Sequence, residues 1–286
     1  MGNFSAYIRL FRIEHALMLS IAVLVGILLS QGISGTAIPL FTLALALLVP
    51  FFIEMGSFAL NDYFDVESDK ANKRKDRPVA AGEITNKTAL ALSGAAYVLG
   101  IACAVPLPTA AFYITLLFAA LSLLYNWKLK LLPLVGNIYI AASMAIPFLF
   151  GNLVVSESLS PPIIAISLVA FVAGLGREII KSAEDVEGDI KHRGARTLPA
   201  LVGKRTSCQV AALLYLVLVP LSLLPFFTGL KANLLAVGLV AITSLSFATM
   251  AYLVAKGQDK KTLEGARKAS LLSLASGIAA YGASLI

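Results

Sequence analysis

The sequence predicts an all-α protein that crosses a membrane many times, and three observations lead to this fold class. The chain of 286 residues is 58% hydrophobic and only 14% charged, whereas the surface of a soluble protein of this size needs more charge. Its mean hydropathy is +0.86. Apolar runs of about 20 residues recur along the chain, and a helix of that length crosses the hydrocarbon core of a bilayer. The short alternating strands typical of a membrane barrel are not seen in the sequence.

Nine spanning helices are predicted from these apolar runs. The first run has no small-residue cleavage pattern after it, so we expect a retained helix rather than a removed signal peptide. Pro39, Pro133, Pro161 and Pro162 fall near predicted helix starts, where proline is tolerated. The predicted spans are 13–30, 38–61, 87–105, 109–126, 133–151, 162–182, 208–225, 232–255 and 267–285.

The basic residues are distributed very unevenly between the predicted loops. With the N-terminus on the cytoplasmic side, 22 of the 23 Lys and Arg residues fall on that side and only Lys231 falls opposite. The positive-inside rule therefore predicts a multi-pass protein of the cell membrane with its N-terminus inside and its C-terminus outside. This topology accounts for the net charge of +7, so nucleic acid is not an expected partner. Cys103 and Cys208 have no metal-site spacing, and we expect them to be small buried residues.

An acidic sequence occurs twice, each time after a predicted span. Residues 65–69 read Asp-Val-Glu-Ser-Asp and residues 185–189 read Asp-Val-Glu-Gly-Asp, 120 residues later. Four predicted helices separate the two copies, so both should face the same, cytoplasmic side. We therefore predict one transmembrane domain, 1–286, built from parallel four-helix repeats at about 1–130 and 131–255 with a ninth helix at 267–285.

The repeated carboxylates point to a metal and phosphate site. Asp62, Asp65 and Asp69 share one helix face, as do Asp185 and Asp189. An isolated acidic residue at a helix end is usually a solvated flank, but carboxylates near spanning segments are costly and usually functional. All-oxygen ligands with partial hydration favour Mg²⁺, which binds a few carboxylates together with substrate phosphates. We expect Asp65 and Asp185 to face solvent and metal.

Basic residues follow each acidic row and are candidates for binding phosphate oxygens that the metal does not reach. Arginine can do this through two parallel hydrogen bonds. The alternative is that these residues only flank the membrane. Arg77 differs because Pro78 follows it and Gly82 closes the segment, which predicts an ordered loop; Arg74 and Arg77 are therefore expected to contact substrate. The full set is Lys73, Arg74, Arg77, Arg193 and Arg196.

These motifs resemble those of the UbiA superfamily of intramembrane prenyltransferases. Residues 61–69 match its N-D-x-x-D-x-x-x-D motif, and residues 185–189 match its second motif, D-x-x-x-D. Residues 76–82 look like its R-P-x-x-x-G segment. Nine helices with motifs after the second and sixth are the family architecture, so the resemblance covers nearly the whole chain.

The resemblance implies an Mg²⁺-dependent transferase that binds a polyprenyl diphosphate and passes its prenyl group to a lipophilic acceptor in the bilayer, with no obligatory protein partner evident. The active site would face the cytoplasm, and Asp62, Asp65 and Asp185 would be catalytic. The family also carries a Tyr-x-x-x-Lys pattern, from which this chain departs: Tyr125 is followed by Lys128 and Lys130, of which we expect Lys128 to reach the diphosphate. The implied metal and diphosphate ligands are Asn61, Asp62, Asp65, Asp69, Asp185 and Asp189.

Residues in and before the second motif indicate the acceptor. Residues 177–189 most resemble the archaeal lipid enzymes that join geranylgeranyl diphosphate to the hydroxyl of geranylgeranylglyceryl phosphate as an ether. That acceptor carries its own phosphate, which Arg177, Lys181 and Lys128 could bind. However, Glu14 and His15 stand where we expect an Asn in those enzymes; His15 is either an acceptor-site general base or hydrogen-bonding partner, or an interfacial residue without a role.

Three other functions are alternatives to this prediction. The first is an aromatic prenyltransferase of quinone synthesis, acting on a hydroxybenzoate or naphthoate. The second is a phospho-alcohol transferase, which needs an Asp-Gly pair that this chain has in the opposite order at Gly188 and Asp189. The third is a cation transporter, whose carboxylates would lie nearer the bilayer midplane.

Overall fold

The computed structural model describes the backbone of residues 4–193 and 197–286, and the side chains of the same residues except 187–193. All regular structure in these ranges is helical, as the sequence predicts. Leu129–Leu131 form a short 3₁₀ turn. The helices are α1 Phe4–Phe11, α2 Ile13–Ser34, α3 Leu40–Ala71, α4 Asn86–Ala104, α5 Thr109–Trp127, α6 Val135–Val155, α7 Pro161–Arg193, α8 Leu198–Val202, α9 Lys204–Leu221, α10 Leu224–Phe227, α11 Leu234–Lys256 and α12 Lys260–Ala283.

Eight segments of the described chain are long and apolar enough to cross a membrane. They comprise α2 to α7, the α9–α10 segment and α11, and they correspond to the first eight predicted spans. The ninth predicted span, 267–285, corresponds to α12, which is not among the eight. Lys260, Lys261, Arg267 and Lys268 make the first part of α12 strongly basic, so that its crossing of the membrane stays a prediction.

The two helices that carry the acidic segments are longer than the sequence predicted. α3 ends at Ala71 instead of 61, and α7 ends at Arg193 instead of 182. Hydropathy marks only the apolar part of a helix, but a helix continues through charged residues when nothing breaks it. The Lys70 ammonium also stabilises the last turns of α3 through an ion pair with Glu67 at 3.2 Å. The acidic segments therefore lie inside the last turns of these helices and not after them.

The polar N-terminal segment forms a helix that the sequence reading missed. α1 buries Ala6 and Leu10 completely. These side chains pack with Ala59 of α3 and with Val79 and Ile84 of the loop that follows α3. α1 thus covers the end of α3 that carries the first acidic segment.

The chain divides into two compact units. The first consists of Met1–Leu24 and Ala37–Leu129, and the second of Val25–Thr36 and Lys130–Ile286. The boundary near residue 130 falls where the sequence divides the predicted halves. The second unit differs from the predicted half because it also contains the end of α2 and all of α12.

Each unit has a closely packed helix pair at its centre. In the first unit, α3 approaches α4 at Gly56, where an added Cβ would lie 3.0 Å from the Tyr97 ring. The Ser93 hydroxyl also donates to the Gly56 carbonyl at 2.8 Å. In the second unit, α7 approaches α9 at Gly176, whose added Cβ would lie 2.6 Å from the Tyr215 ring. Glycine at these two positions lets the functional helices pack closely against their neighbours.

Candidate active site

The acidic row of α3 is buried. Asp62 and Asp69 are each 1% exposed and Asp65 is 7% exposed. The expectation that Asp65 faces solvent is therefore wrong, and its two neighbours in the row are buried as well. The reason is that α1 and the loop after α3 pack over this part of the helix through Val79, Ile84 and their apolar neighbours. Buried carboxylates require compensation, because a charge without a partner is costly to remove from water.

Two arginines supply compensation at Asp62. Arg77 Nη1 donates to Asp62 Oδ1 at 2.5 Å, and Arg12 Nη2 donates to the same oxygen at 3.0 Å. The second oxygen, Oδ2, is also buried but accepts no hydrogen bond from any residue that the structure describes. Asp62 therefore keeps one buried oxygen available to a further ligand.

Arg77 connects several of the predicted site residues. Its Nη1 lies 3.5 Å from Asn61 Oδ1, and its Nε lies 3.9 Å from Asp69 Oδ2. Its side chain is only 15% exposed. The structure thus brings Asn61, Asp62, Asp69 and Arg77 together, and the guanidinium lies along the same carboxylate row on α3.

The loop that carries Arg77 is ordered, as its proline and glycine predicted. The Arg77 carbonyl accepts from the Ala81 amide at 2.9 Å, and the Pro78 carbonyl accepts from the Glu83 amide at 2.9 Å. Gly82 has φ +78°, a left-handed conformation that glycine adopts without strain. At the end of the loop, Glu83 forms an ion pair with Arg9 of α1 at 2.6 Å. These contacts hold Arg77 against α3.

Arg74 is placed differently from Arg77. Its Nε and Nη2 donate to the two carboxylate oxygens of Asp76, at 2.9 and 2.8 Å. The charge-assisted hydrogen bonds from Arg74 lower the pKa of Asp76 below its usual value. Arg74 is also more exposed than Arg77. To bind substrate, Arg74 would have to release its hydrogen bonds to Asp76.

Arg12 is a site residue that the sequence reading missed. It lies between α1 and α2 with φ +43°, an unusual backbone conformation for a residue other than glycine. Its guanidinium stacks over the Phe58 ring, 4.1 Å from the centroid, in addition to its contact with Asp62. Burial lowers the pKa of Arg12 from its usual value, while the carboxylates of Asp62 and Glu54 favour the charged form.

Asn126 on α5 holds the Asn61 side chain through a hydrogen bond. The Asn61 amide donates to Asn126 Oδ1 at 3.1 Å, and Asn126 in turn donates to the Ser122 carbonyl at 3.0 Å. Asn126 is 1% exposed. With its amide nitrogen held by Asn126, Asn61 turns its oxygen towards Arg77.

The predicted site residues at the end of α5 lie nearer the surface. Lys128 is exposed, and its Nζ lies 4.3 Å from the centre of the Trp127 ring. Tyr125 and Lys130 are partly exposed. The structure does not decide between Lys128 and Lys130, so the choice of Lys128 as a diphosphate ligand stays a prediction.

The second unit has its own polar cluster on α7. Glu178 is 5% exposed and forms an ion pair with Arg177, and Lys181 Nζ lies 3.6 Å from its second oxygen. Asn137 of α6 donates to the Glu178 carbonyl at 2.9 Å and to the Ser182 hydroxyl at 2.8 Å. Lys181 and Arg177, both expected near an acceptor phosphate, therefore share one buried carboxylate.

The second acidic row begins one turn further along α7. Asp185 is exposed, unlike the acidic residues of the first row. Next to it, Glu184 accepts a hydrogen bond at 2.9 Å from Arg267 of α12, which ties the end of α7 to α12. The side chains of Asp189 and Arg193 lie outside the described residues, and so does Arg196, so their predicted roles stay predictions.

The described residues do not form a ready-made metal cage. Among them, no group of three or more His, Cys, Asp or Glu side chains converges closely enough to hold a metal ion. The carboxylates of the first row lie along one helix face, with the Arg77 guanidinium near Asp62 and Asp69 and the Arg12 guanidinium beside Asp62. This arrangement fits a metal that takes only a few ligands from protein and the rest from a phosphorylated substrate.

Comparison with known proteins identifies the family. The sequence matches the UbiA prenyltransferase family over residues 19–273. It is 35% identical over 274 residues to digeranylgeranylglyceryl phosphate synthase of Archaeoglobus fulgidus, covering 95% of this chain and 92% of that protein.

Solved structures have the same fold. One, described as giving structural and mechanistic insights into digeranylgeranylglyceryl phosphate synthase in membranes, is 28% identical with a TM-score of 0.82, covering 99% of this chain and 98% of that one. Another, a UbiA homologue from Archaeoglobus fulgidus bound to GPP and Mg²⁺, is 21% identical with a TM-score of 0.68, covering 96% of this chain and 99% of that one. The chain is therefore a multi-pass membrane enzyme that belongs to the UbiA prenyltransferase family.

Proposed function

We propose that this enzyme transfers a geranylgeranyl group from its diphosphate to the hydroxyl of geranylgeranylglyceryl phosphate, forming the second ether bond of an archaeal lipid. The relative from Archaeoglobus fulgidus that bears the name of this activity aligns with nearly the whole chain, which favours this acceptor over an aromatic one. The observation that carries the proposal is the buried carboxylate row of α3 facing Arg77 and Arg12.

The proposed cofactor is Mg²⁺. The oxygen donors of Asp62, Asp65, Asp69 and Asn61 are of the type that this ion prefers, and Asp62 Oδ2 is a buried oxygen to which no described residue donates. Asp185 and Asp189 would bind metal from the second acidic row. When bound, Mg²⁺ would neutralise the negative charge that develops on the diphosphate as its bond to the prenyl carbon breaks.

The cationic side chains have a complementary task. Arg77 and Arg12 are already buried beside Asp62, so that they can turn toward phosphate oxygens without leaving the site. Groups placed in advance stabilise developing charge most effectively, because they do not have to reorganise during the reaction. Arg74, Lys128 and Arg193 would assist from more peripheral positions, with Tyr125 beside Lys128.

The burial of this site also protects the reaction. Ionisation of an allylic diphosphate leaves a carbocation that water would trap. α1 and the loop after α3 cover the site, and the apolar helices of the first unit exclude water from its membrane side. The prenyl chain can then extend between helices into the lipid.

The acceptor phosphate would bind near α7. Lys181 and Arg177 lie on this helix one to two turns before Asp185, close enough to one another to share Glu178. Two cations around a single buried carboxylate leave a net positive charge, which suits a phosphate monoester. An aromatic acceptor would need only one cation for its carboxylate.

The proposed topology follows the charge distribution. α12 would be the ninth spanning helix, the two halves would be parallel repeats, and both acidic rows would face the cytoplasm. The N-terminus would then lie inside and the C-terminus outside. A glycosylation or cysteine-labelling site placed after residue 286 would be modified from outside if this topology is correct, and from inside if α12 does not cross.

The function is tested with purified protein in liposomes, supplied with Mg²⁺ and radiolabelled geranylgeranyl diphosphate. Separate reactions contain geranylgeranylglyceryl phosphate, 4-hydroxybenzoate or a dihydroxynaphthoate. Label should enter an acid-stable ether lipid only in the first reaction. Label transferred to an aromatic product instead would contradict the proposed acceptor while leaving prenyl transfer intact.

A further inference from the structure

α3 carries another carboxylate, Glu54, deeper in its membrane-spanning segment than the acidic motif. Glu54, Asn61 and Asp65 stand at positions i, i+7 and i+11, so they share one face of the helix. With a rise of about 1.5 Å per residue, Glu54 lies about 10 Å along the helix axis from Asn61. It therefore continues the functional face of α3 towards the middle of the membrane.

The Glu54 side chain is partly buried and interacts with titratable groups of two other elements. Arg12 attracts it electrostatically, and Tyr97 of α4 is the other titratable group that interacts with it. Tyr97 uses its hydroxyl in a 2.7 Å hydrogen bond with Ser122. Within the described part of the chain, Glu54 itself forms neither a hydrogen bond nor a close ion pair.

Such a carboxylate requires an explanation, because acidic groups inside the membrane are costly and usually functional. The simplest structural explanation would be that Glu54 neutralises Arg12. However, Arg12 already donates to Asp62 and stacks on Phe58. Arg12 therefore does not need Glu54 as a direct partner, and Glu54 keeps its oxygens for another group.

We infer that Glu54 is the general base that takes the proton of the acceptor hydroxyl. This inference rests on the proposed function. In the transfer, the bond between the first prenyl carbon and the diphosphate oxygen breaks, and its electron pair leaves with the diphosphate. The acceptor oxygen forms a new bond to that carbon, and its proton passes to a Glu54 oxygen. No oxidant or reductant is needed, and the proton later exchanges with water.

The position of Glu54 suits this step. The phosphate-binding groups Asn61, Asp62 and Arg77 hold the leaving group at one end of the face, and Glu54 lies about 10 Å away at the other. This interval has room for the prenyl carbon, for an acceptor oxygen about 3 to 3.5 Å from it, and for a hydrogen bond of about 2.6 to 3.2 Å to the base.

His15 is the competing candidate for this role. Its side chain is 55% exposed, and its Nδ1 lies 3.5 Å from the Glu14 carboxylate. Its ring packs edge-on against Phe58, at 5.5 Å between centroids. An imidazole that is more than half exposed is less suited than a partly buried carboxylate to remove a proton where water must be excluded.

The experiment compares wild-type protein with Glu54→Gln, Glu54→Asp and, as a matched control, Glu67→Gln, which changes an exposed glutamate of the same helix. Each protein is assayed in liposomes with Mg²⁺, geranylgeranyl diphosphate and geranylgeranylglyceryl phosphate across pH 5 to 9. Loss of a general base lowers kcat by about 100-fold or more. For Glu54→Gln we expect this loss, a KM for the diphosphate unchanged within about threefold, and loss of the acidic limb of the pH–rate profile.

Two further variants serve as controls. Glu54→Asp retains the carboxylate and should recover at least about a tenth of the wild-type rate together with its acidic limb, whereas Glu67→Gln should behave as wild type. Size-exclusion chromatography and diphosphate binding establish that Glu54→Gln is folded. A Glu54→Gln rate within about threefold of wild type, or an acidic limb that persists in this variant, would contradict the role of Glu54 alone. A wild-type protein that prenylates no hydroxyl acceptor would instead contradict the proposed function.

Discussion

The two acidic segments have nearly the same sequence but very different surroundings. In the first unit, Asp62 and Asp69 are buried almost completely, and Asp62 is held by two arginines. In the second unit, Asp185 is exposed, and the charge contacts lie two turns away at Glu178 and beside it at Glu184. The difference arises from the elements that cover each helix, since α1 and an ordered loop pack over α3.

The two segments show that a motif determines which functional groups are present but not how deeply they are buried. The first segment is assembled in advance, with its cations already beside its carboxylates. The second presents a more accessible carboxylate at the end of a helix tied to α12. We expect the first segment to contribute to stability as well as catalysis, and the second to catalysis alone.

Removal of the metal should have the largest effect, because both segments are proposed to need it. Chelation with EDTA should reduce prenyl transfer to background, and excess Mg²⁺ should restore it fully. The measurement is the initial rate of product formation in liposomes before and after chelation. Undiminished transfer in EDTA would remove the metal from the mechanism of both segments.

Substitutions at Asp62 and Asp185 should separate catalysis from stability. Asp62→Asn and Asp185→Asn should each lower the transfer rate by about 100- to 1000-fold, because each removes a charge that stabilises the leaving group. Only Asp62→Asn should also lower the free energy of unfolding, by about 1 to 3 kcal/mol, because it leaves Arg12 and Arg77 without their shared buried anion. Thermal unfolding in detergent measures this difference, and equal stability of the two variants would contradict the contrast between a buried and an exposed segment.

The two arginines of the loop after α3 provide a narrower comparison. Arg77→Ala should raise the KM for the diphosphate by about 10- to 100-fold, the value of a charge-assisted hydrogen bond. Arg74→Ala should raise it by less than about threefold, because Arg74 is already bound to Asp76 at the surface. Steady-state kinetics with varied diphosphate gives both values. An unchanged KM in Arg77→Ala would return this residue to a purely structural role.

The smallest effect is expected where α7 meets α12. Arg267→Ala breaks the 2.9 Å contact with Glu184 and should slow transfer by about three- to tenfold by loosening the end of α7 that carries Asp185. Lys268→Ala is the matched control, since its partner Glu264 is exposed on the same helix. If both variants transfer at the wild-type rate, the α7–α12 contact does not position Asp185.

The sequence predicted the helical fold well because apolar length is a strong and local signal. It misplaced the ends of α3 and α7, since hydropathy cannot distinguish a charged flank from a charged continuation of a helix. It also missed α1, whose eight residues are too few to mark a span. What buries the first acidic row is thus a tertiary contact that no local pattern encodes.

The sequence likewise predicted only part of the site. Motif spacing indicated Asn61, Asp62, Asp69 and Arg77, and the structure brings these residues together. Arg12 and Asn126 belong to no motif and reach Asp62 and Asn61 from two other places in the chain. A weak signal was present, because each is a polar or charged residue within or at the edge of an apolar run. Only packing reveals which of these residues face the site.

In the proposed site, the buried carboxylates of α3 bind the prenyl diphosphate together with Mg²⁺ and Arg77. Isothermal titration of a non-ionisable geranylgeranyl thiolodiphosphate into wild-type protein and into Asp62→Asn, with and without Mg²⁺, measures this binding. We predict binding by the wild-type protein only in the presence of Mg²⁺, and binding at least about 100-fold weaker by Asp62→Asn. Equal affinity of the two proteins, or wild-type affinity that does not depend on Mg²⁺, would contradict the proposed site.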